Sequence, residues 1–373
     1  MALTKVTTGT IADDSIQSLK NRSLIVNGAM QVSQRGAQAG QGASSAYSAV
    51  DRFEIVASGA KTARVTSSKQ ATTTGEFSSQ LKIDCTTAQA SVASGDLFAV
   101  RQKIEGQNLQ HLQYGTSSAK TLTASFTITS PKSGIHCVQL HNRDTSYSYV
   151  REFTVDSANT AQIINVTFPG YTATALDNDN NSSLELTWPL IAGSDWQTTK
   201  DGWTSGNDFA TSNQQNLLDS TANDFLITGV QLEAGDVATP FEHRIYGEEL
   251  ALCQRYYYRL NANANYSRWG DGCWDTVTQA SLIFPILVPM RSSPSVDSTG
   301  SSSDYVLVNA GSVYTCTSIP SFSKSTITSD GSCAVVTLVA LSTGNGTAGN
   351  AAQLVSVGGG GWTGDFLGLD AEL

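Results

Sequence analysis

Two tryptophans in a polar stretch are the residues best suited to hold a ligand. Trp196 and Trp203 stand in GSDWQTTKDGWTSGND, residues 193–208. A large ring in a polar loop can stack on the apolar face of a sugar, with Asp195, Asp201 and Asn207 bonding its hydroxyls. The alternative is that both rings cover the edge of a β-sandwich or a subunit interface, where Trp is enriched. A second aromatic set, Tyr266, Trp269 and Trp274, follows the polar turn 261–265. On exposed loops these three would supply contact area to a receptor at low entropic cost.

Catalytic and metal signals are sparse. The chain has no G-x-S-x-G elbow, P-loop or H-E-x-x-H. Hydrolysis of a glycoside needs two carboxylates across one cleft. Asp195 and Asp201 are near only in sequence, so no catalytic residue is assigned. His136 and His141 lie five apart on one predicted strand, hence on opposite faces, and with His111 and His243 read as structural histidines. Asp177-Asn178-Asp179-Asn180-Asn181 offers alternating oxygens, as a Ca²⁺ loop does. Ser182 stands where an EF-hand needs Gly and Trp188 where it needs Glu, so a polar turn is expected. A Ca²⁺ site completed by distant residues remains the other reading. No metal ligand and no cofactor are assigned.

Period-two segments position these residues. Leu122, Ala124, Phe126 and Ile128 alternate strictly, as do Leu184, Leu186, Trp188 and Leu190, so each set faces a core and Trp188 belongs to it. Turn clusters at 40–45, 72–75, 115–118 and 177–183 separate such segments. About eight to ten strands over roughly 220 residues, with no helical pattern between them, indicate a jelly roll. Gly247-Glu248-Glu249 begins a short helix, its carboxylates suited to the positive N-terminal end. Beyond it, Leu282, Phe284, Ile286 and Val288 alternate, and Pro285 among them suggests an edge strand or bulge.

The class is therefore all-β. A jelly-roll β-sandwich occupies residues 25–246. A smaller C-terminal β-sandwich, residues 247–373, opens with the short helix. Residues 1–24 have too few large apolar side chains to bury a core; Thr4–Thr10 suits one extended strand and Ile11–Leu19 a weak helix. No period of 20–50 residues repeats, which excludes a β-helix.

Charged residues are 14% of the chain and the net charge is −10, which excludes nucleic-acid binding by a basic surface. Met1–Lys5 lacks the apolar stretch of a secretory signal, and no apolar run is long enough to insert into a membrane, so synthesis in a cytoplasm is expected. The six cysteines show no C-x-x-C pair and read as small buried hydrophobes. A Cys316–Cys333 bridge across a hairpin is the alternative.

GVQLEAGDVATPFEHRIYGEELALCQRYYYRL, residues 229–260, resembles the recurring junction of phage tail-fibre and related virion structural proteins. NRSLIVNGAMQVSQRG with Asp51-Arg52-Phe53, and the opening MALTKVTTGTIADDSI, are similar to the start of the same module. The likeness covers residues 1–260 well and 261–373 loosely. It implies a jelly-roll module akin to carbohydrate-binding modules, located in the phage particle. The expected role is a non-enzymatic tail fibre or similar appendage touching the host surface. The runner-up is a purely architectural component of head, neck or baseplate. The resemblance also implies a homotrimer, formed around residues 246–260, where Tyr256–Tyr258 exceeds what a small core needs. Residues 1–24 would dock on another virion protein, the C-terminal domain would lie furthest from the particle, and a host glycan is the candidate ligand.

Overall fold

The two strictly alternating segments meet across the centre of a sandwich. Phe126 and Trp188 pack edge to face with ring centroids 5.4 Å apart, and both side chains are buried. The computed structural model describes residues 22–59, 61–72, 75–262, 267–284, 286–298, 301–309, 312–327, 333–342, 346–356 and 366–373. The predicted strand at 4–10 and helix at 11–19 lie outside them. The chain divides into one unit of residues 1–249 with 373 and a second of residues 250–372.

In the first unit the strands are β1 (Gln38–Gln41), β2 (Ala46–Tyr47), β3 (Glu54–Ser58), β4 (Arg64–Ala71), β5 (Ser79–Thr87), β6 (Leu97–Glu105), β7 (Leu122–Thr129), β8 (Gly134–Asn142), β9 (Tyr147–Val155), β10 (Ala161–Phe168), β11 (Ser182–Ala192), β12 (Trp203–Ser205) and β13 (Asp224–Ala234). They form two antiparallel sheets, β1-β4-β5-β13-β7-β10 and β12-β9-β8-β11-β6-β3-β2. This is the β-sandwich of jelly-roll type that the alternation indicates. The inner faces carry Ile55, Leu81, Ile83, Phe98, Val100, Leu140, Leu186 and Leu232, all fully buried. Each such side chain stabilises the fold by about 1.5–3 kcal/mol relative to exposure.

Two ends of this unit are tied together. The backbone N–H groups of Arg22 and Ser23 both donate to Glu242 Oε2 at 2.8 Å. Arg244 donates to the carbonyls of Ser23 (2.8 Å) and Ile25 (3.0 Å). Glu249 accepts the Asn27 N–H at 2.5 Å, and its burial pushes the carboxyl above the ordinary range. Glu248 and Glu249 fill the first turn of helix α1 (Tyr246–Gln254), the predicted junction helix. Among the described residues no helix is long and apolar enough to cross a membrane.

The second unit contains β14 (Tyr257–Asn261), β15 (Arg268–Trp274), β16 (Gln279–Phe284), β17 (Ser295–Ser298), β18 (Tyr305–Asn309), β19 (Ser312–Thr315), β20 (Ser321–Ile327), β21 (Cys333–Leu341), β22 (Ala351–Ser356) and β23 (Phe366–Asp370). Their sheets are β14-β23-β17 and β19-β18-β22-β15-β16-β21-β20. Three expectations are corrected here. β16 is interior, between β15 and β21, which overturns the edge-strand reading, and Pro285 itself lies outside the described residues. Tyr256, Tyr257 and Tyr258 are all buried within the chain, so this run does not supply a surplus surface for a trimer. Cys316 is a free buried thiol opposite Ser342, beyond the far end of the strand that Cys333 begins, which rules out a bridge between them.

Candidate functional site

The tryptophans singled out by sequence occupy two distant places. Trp196 follows β11 in a single 3₁₀ turn, donates its Nε1–H to the Gly95 carbonyl at 2.8 Å, and packs on Phe209, Val56, Leu97 and Ala99. Trp203 opens the edge strand β12, packs against Tyr114, Tyr149 and Tyr171, and donates to the Pro169 carbonyl at 3.1 Å. β12 and β6 stand four strand spacings apart in one sheet, roughly 19 Å. Asp195 accepts the Ser94 hydroxyl at 3.0 Å and Asp201 accepts Arg151 Nη1 at 2.6 Å. Both half-buried rings thus cover sandwich edges, and the four residues do not converge on one surface. Trp269 and Trp274, expected on exposed loops, are 3% and 1% exposed and lie on β15 in the core of the second unit. Their burial corrects their assignment as receptor contacts: five apart, they would face opposite sides of a regular strand, but the register of β15 against β22 slips between Arg268 and Gly270, and both rings end up inward, against Tyr305 and Tyr314. Tyr266 lies outside the described residues.

The 177–181 loop is a polar turn. Its backbone closes on the end of β6, Gly106 N–H to Asn181 O at 3.0 Å and Gln107 N–H to Asp179 O at 2.8 Å. Both Asp179 oxygens accept from Asn181, and the Asp177 N–H donates to Asp144. Among the described residues no group of three or more His, Cys, Asp or Glu is placed to hold a metal.

A different site forms on the outer face of the six-stranded sheet. Alternation along β7 sends Ser125 and Thr127 outward, and on β10 the directly opposite residues are Asn165 and Ile163. On the other side of β7, the register of β13 slips between Thr228 and Gln231. Gly229 lies in this slip at φ +60, and a Cβ there would meet the Phe77 ring at 2.5 Å. Glycine therefore lets Phe77, from the turn between β4 and β5, lie directly on the sheet. Phe241 meets Phe77 edge to face at 4.9 Å, and His243 packs behind both at 5.0 and 5.8 Å. His243 Nε2 also lies 3.1 Å from the Glu76 carboxylate.

The result is a groove of about 340 Å³ with Ser125, Thr127, Ile163 and Asn165 as floor and Phe77 and Phe241 as wall. The wall is held before any ligand arrives. Glu233 accepts both the N–H (2.8 Å) and the hydroxyl (2.6 Å) of Thr239, and Gln231 accepts the Glu242 N–H at 2.8 Å. The side chains of Ser125, Thr127 and Asn165 make no hydrogen bond with any described residue, and Ile163 is 72% exposed. Chemically, the groove offers aromatic edges, one aliphatic surface and three uncommitted polar groups. Sequence reasoning missed it. The period-two pattern of β7 marks Ser125 and Thr127 as outward, but nothing local tells which strand lies beside them.

The outer face of the seven-stranded sheet is instead closed by its own charges. Arg101 donates to Glu54 and Glu185 at 2.9 Å, Lys103 reaches Glu54 at 3.1 Å, and Arg143 reaches Glu185 at 3.1 Å. Burial opposes the Arg101 charge, yet Glu185 and Glu54 outweigh it and raise its pKa. At Lys103 burial prevails and the pKa falls. Beside them Thr187 Oγ1 and Gln139 Oε1 are buried without a partner among the described residues.

No family model matches the chain, and no curated protein matches it in sequence. Among solved structures it is similar to one described as "CBM4 structure and function", at 14% identity and TM-score 0.29, covering 56% of this chain and 98% of that one. It is similar to the enzymatically active domain of bacteriophage CBA120 tailspike protein 4, at 9% identity and TM-score 0.28, covering 49% of this chain and 19% of that one. A family 11 carbohydrate-binding module of the Clostridium thermocellum cellulase Lic26A-Cel5E matches at 14% identity and TM-score 0.26, covering 49% and 88%. At these scores the likenesses carry no functional argument, and the fold rests on the chain's own sheets.

Proposed function

We propose that this protein is a non-enzymatic virion appendage, a phage tail fibre or similar, that contributes to attachment by holding a surface glycan in the groove of its first unit. One observation carries the glycan reading. Three polar side chains with no hydrogen-bond partner among the described residues line the groove beneath the Phe77–Phe241 wall: Asn165 exposed, Ser125 half-buried and Thr127 buried at its floor. A sugar presents hydroxyls to the one and C–H faces to the other. Among the residues lining the groove Glu76 is the single carboxylate, whereas glycoside hydrolysis needs a facing pair. That favours binding over cleavage. The assignment to a virion rests on the resemblance of residues 229–260. On this reading residues 1–24 dock on another virion protein, and a homotrimer forms around the junction, where Ile245 and Tyr246 are 76% and 55% exposed.

The test is binding of purified protein to glycans released from the host surface. Thr127→Ala with Asn165→Ala removes two hydrogen-bonding groups that no internal contact needs. At about 0.5–1.5 kcal/mol each, the pair should weaken binding roughly tenfold while the melting temperature stays put. Unchanged affinity would remove the groove from the reading. Particles that adsorb normally with this variant would favour the architectural role, which antibody labelling at the head, neck or baseplate would then locate.

A further inference from the structure

The groove's charge and its one bare aliphatic side chain select among sugars, a step that rests on the glycan-binding reading above. We infer that it takes a neutral sugar carrying a methyl-bearing substituent, either a 6-deoxy methyl or an N-acetyl methyl, and rejects acidic sugars.

The charge argument comes from the lining. Glu76 brings a carboxylate to the groove, and among the described residues neither Lys nor Arg lines it. Beside the lining, His243 is turned onto Glu76 at 3.1 Å, and the Arg22 guanidinium donates to the Pro240 carbonyl at 2.9 Å. A uronate or sialate carboxylate entering here would lose water, face Glu76, and find no guanidinium or ammonium among the described lining side chains to pair with. The chain's net charge of −10 adds a field of the same sign. A neutral sugar meets none of these penalties, and its hydroxyls suit Ser125, Thr127 and Asn165.

The methyl argument comes from Ile163. It stands on β10 directly opposite Thr127, in the middle of the floor, and is 72% exposed. The Phe77 and Phe241 rings face it across the groove. A hexose bearing only hydroxyls would set a polar group against this aliphatic surface. A methyl group would instead be buried between Ile163 and the rings, beside hydroxyls that reach the polar floor. Burial of one such group is worth about a fourfold gain in affinity.

The experiment titrates the full chain with four monosaccharide glycosides: a hexose, the matching 6-deoxyhexose, the N-acetylhexosamine and the hexuronate. Ligand-observed magnetic resonance suits the weak affinities expected. The 6-deoxyhexose or the N-acetylhexosamine should bind about fourfold more tightly than the hexose, and which of them does so identifies the source of the methyl. The hexuronate should bind most weakly, and Glu76→Gln should narrow that deficit. Ile163→Ala should erase the methyl preference, so that the methyl-bearing sugar and the hexose bind the variant alike, while the melting temperature holds because Ile163 is 72% exposed. A hexuronate that binds as well as the hexose, or a methyl preference that survives Ile163→Ala, overturns the ligand class while leaving the groove as a glycan site. If none of the four binds at millimolar concentration, the glycan reading falls and the ligand class with it.

Discussion

Replacing Arg101 by Met should destabilise the first unit more than any surface change of equal size. The guanidinium donates Nε to Glu54 at 2.9 Å and Nη1 to Glu185 at 2.9 Å. The side chains of Arg101, Glu54 and Glu185 are 10%, 9% and 0% exposed. Removing one partner of such a network strands buried charge, at about 3–5 kcal/mol. Each carboxylate keeps one cation, Lys103 on Glu54 and Arg143 on Glu185, so the low end applies, about 3 kcal/mol. For a unit of this size that corresponds to a fall in melting temperature of about 6–12 °C. Replacing Glu54 by Leu, Arg101 by Met, Lys103 by Met and Glu185 by Leu together removes the buried charges of this cluster and leaves Arg143 at the rim, 54% exposed. That variant should recover most of the loss, because the desolvation cost goes with the charges. Calorimetry and urea unfolding measure both, with the urea midpoint moving and the slope unchanged. An Arg101→Met loss under about 1 kcal/mol, or a fourfold variant less stable than the single one, would refute the view that these charges are stranded rather than solvated.

Stability should also depend on pH through His136 and His141. Burial lowers both pKa values below the ordinary histidine value, so the unfolded chain binds the extra protons. The stabilisation is complete above about pH 6.5 and is lost as pH falls through the folded-state values; His136→Gln with His141→Gln should flatten that slope in pH-dependent urea midpoints. Gly229→Ala places a Cβ 2.5 Å from the Phe77 ring at φ +60, so roughly 1–3 kcal/mol of stability and much of the groove's affinity should go together. Trp274→Ala should cost the second unit about 3–5 kcal/mol and leave the first unit's transition in place, as two resolved calorimetric peaks would show.

Much of the fold class was readable because alternation is local. Leu122 to Ile128 and Leu184 to Leu190 declare a buried face through their own spacing, and Trp188 follows from it. The junction helix was readable from Glu248 and Glu249, which sit in its first turn. The same reasoning failed where position in a sheet matters. Pro285 suggests an edge, but β16 has a neighbour on both sides. Trp269 and Trp274 follow a polar turn, yet β15 turns them inward. Polarity around an aromatic residue says little about exposure when every second residue of a strand faces away.

The sequence by itself determined that this chain builds antiparallel sheets, which side chains of its strictly alternating strands face a core, and where the chain turns, because each depends on residues a few positions apart. Only the tertiary structure decided what lies side by side on the outer faces. Thr127 meets Ile163 through the pairing of β7 with β10, and the Phe77 ring meets Gly229 through the slip in β13. Arg101 meets Glu54 and Glu185 because β6 runs between β3 and β11. Outward positions are free in composition as far as the core is concerned. Their meaning comes from strand order and register, which are set by pairings between distant parts of the chain.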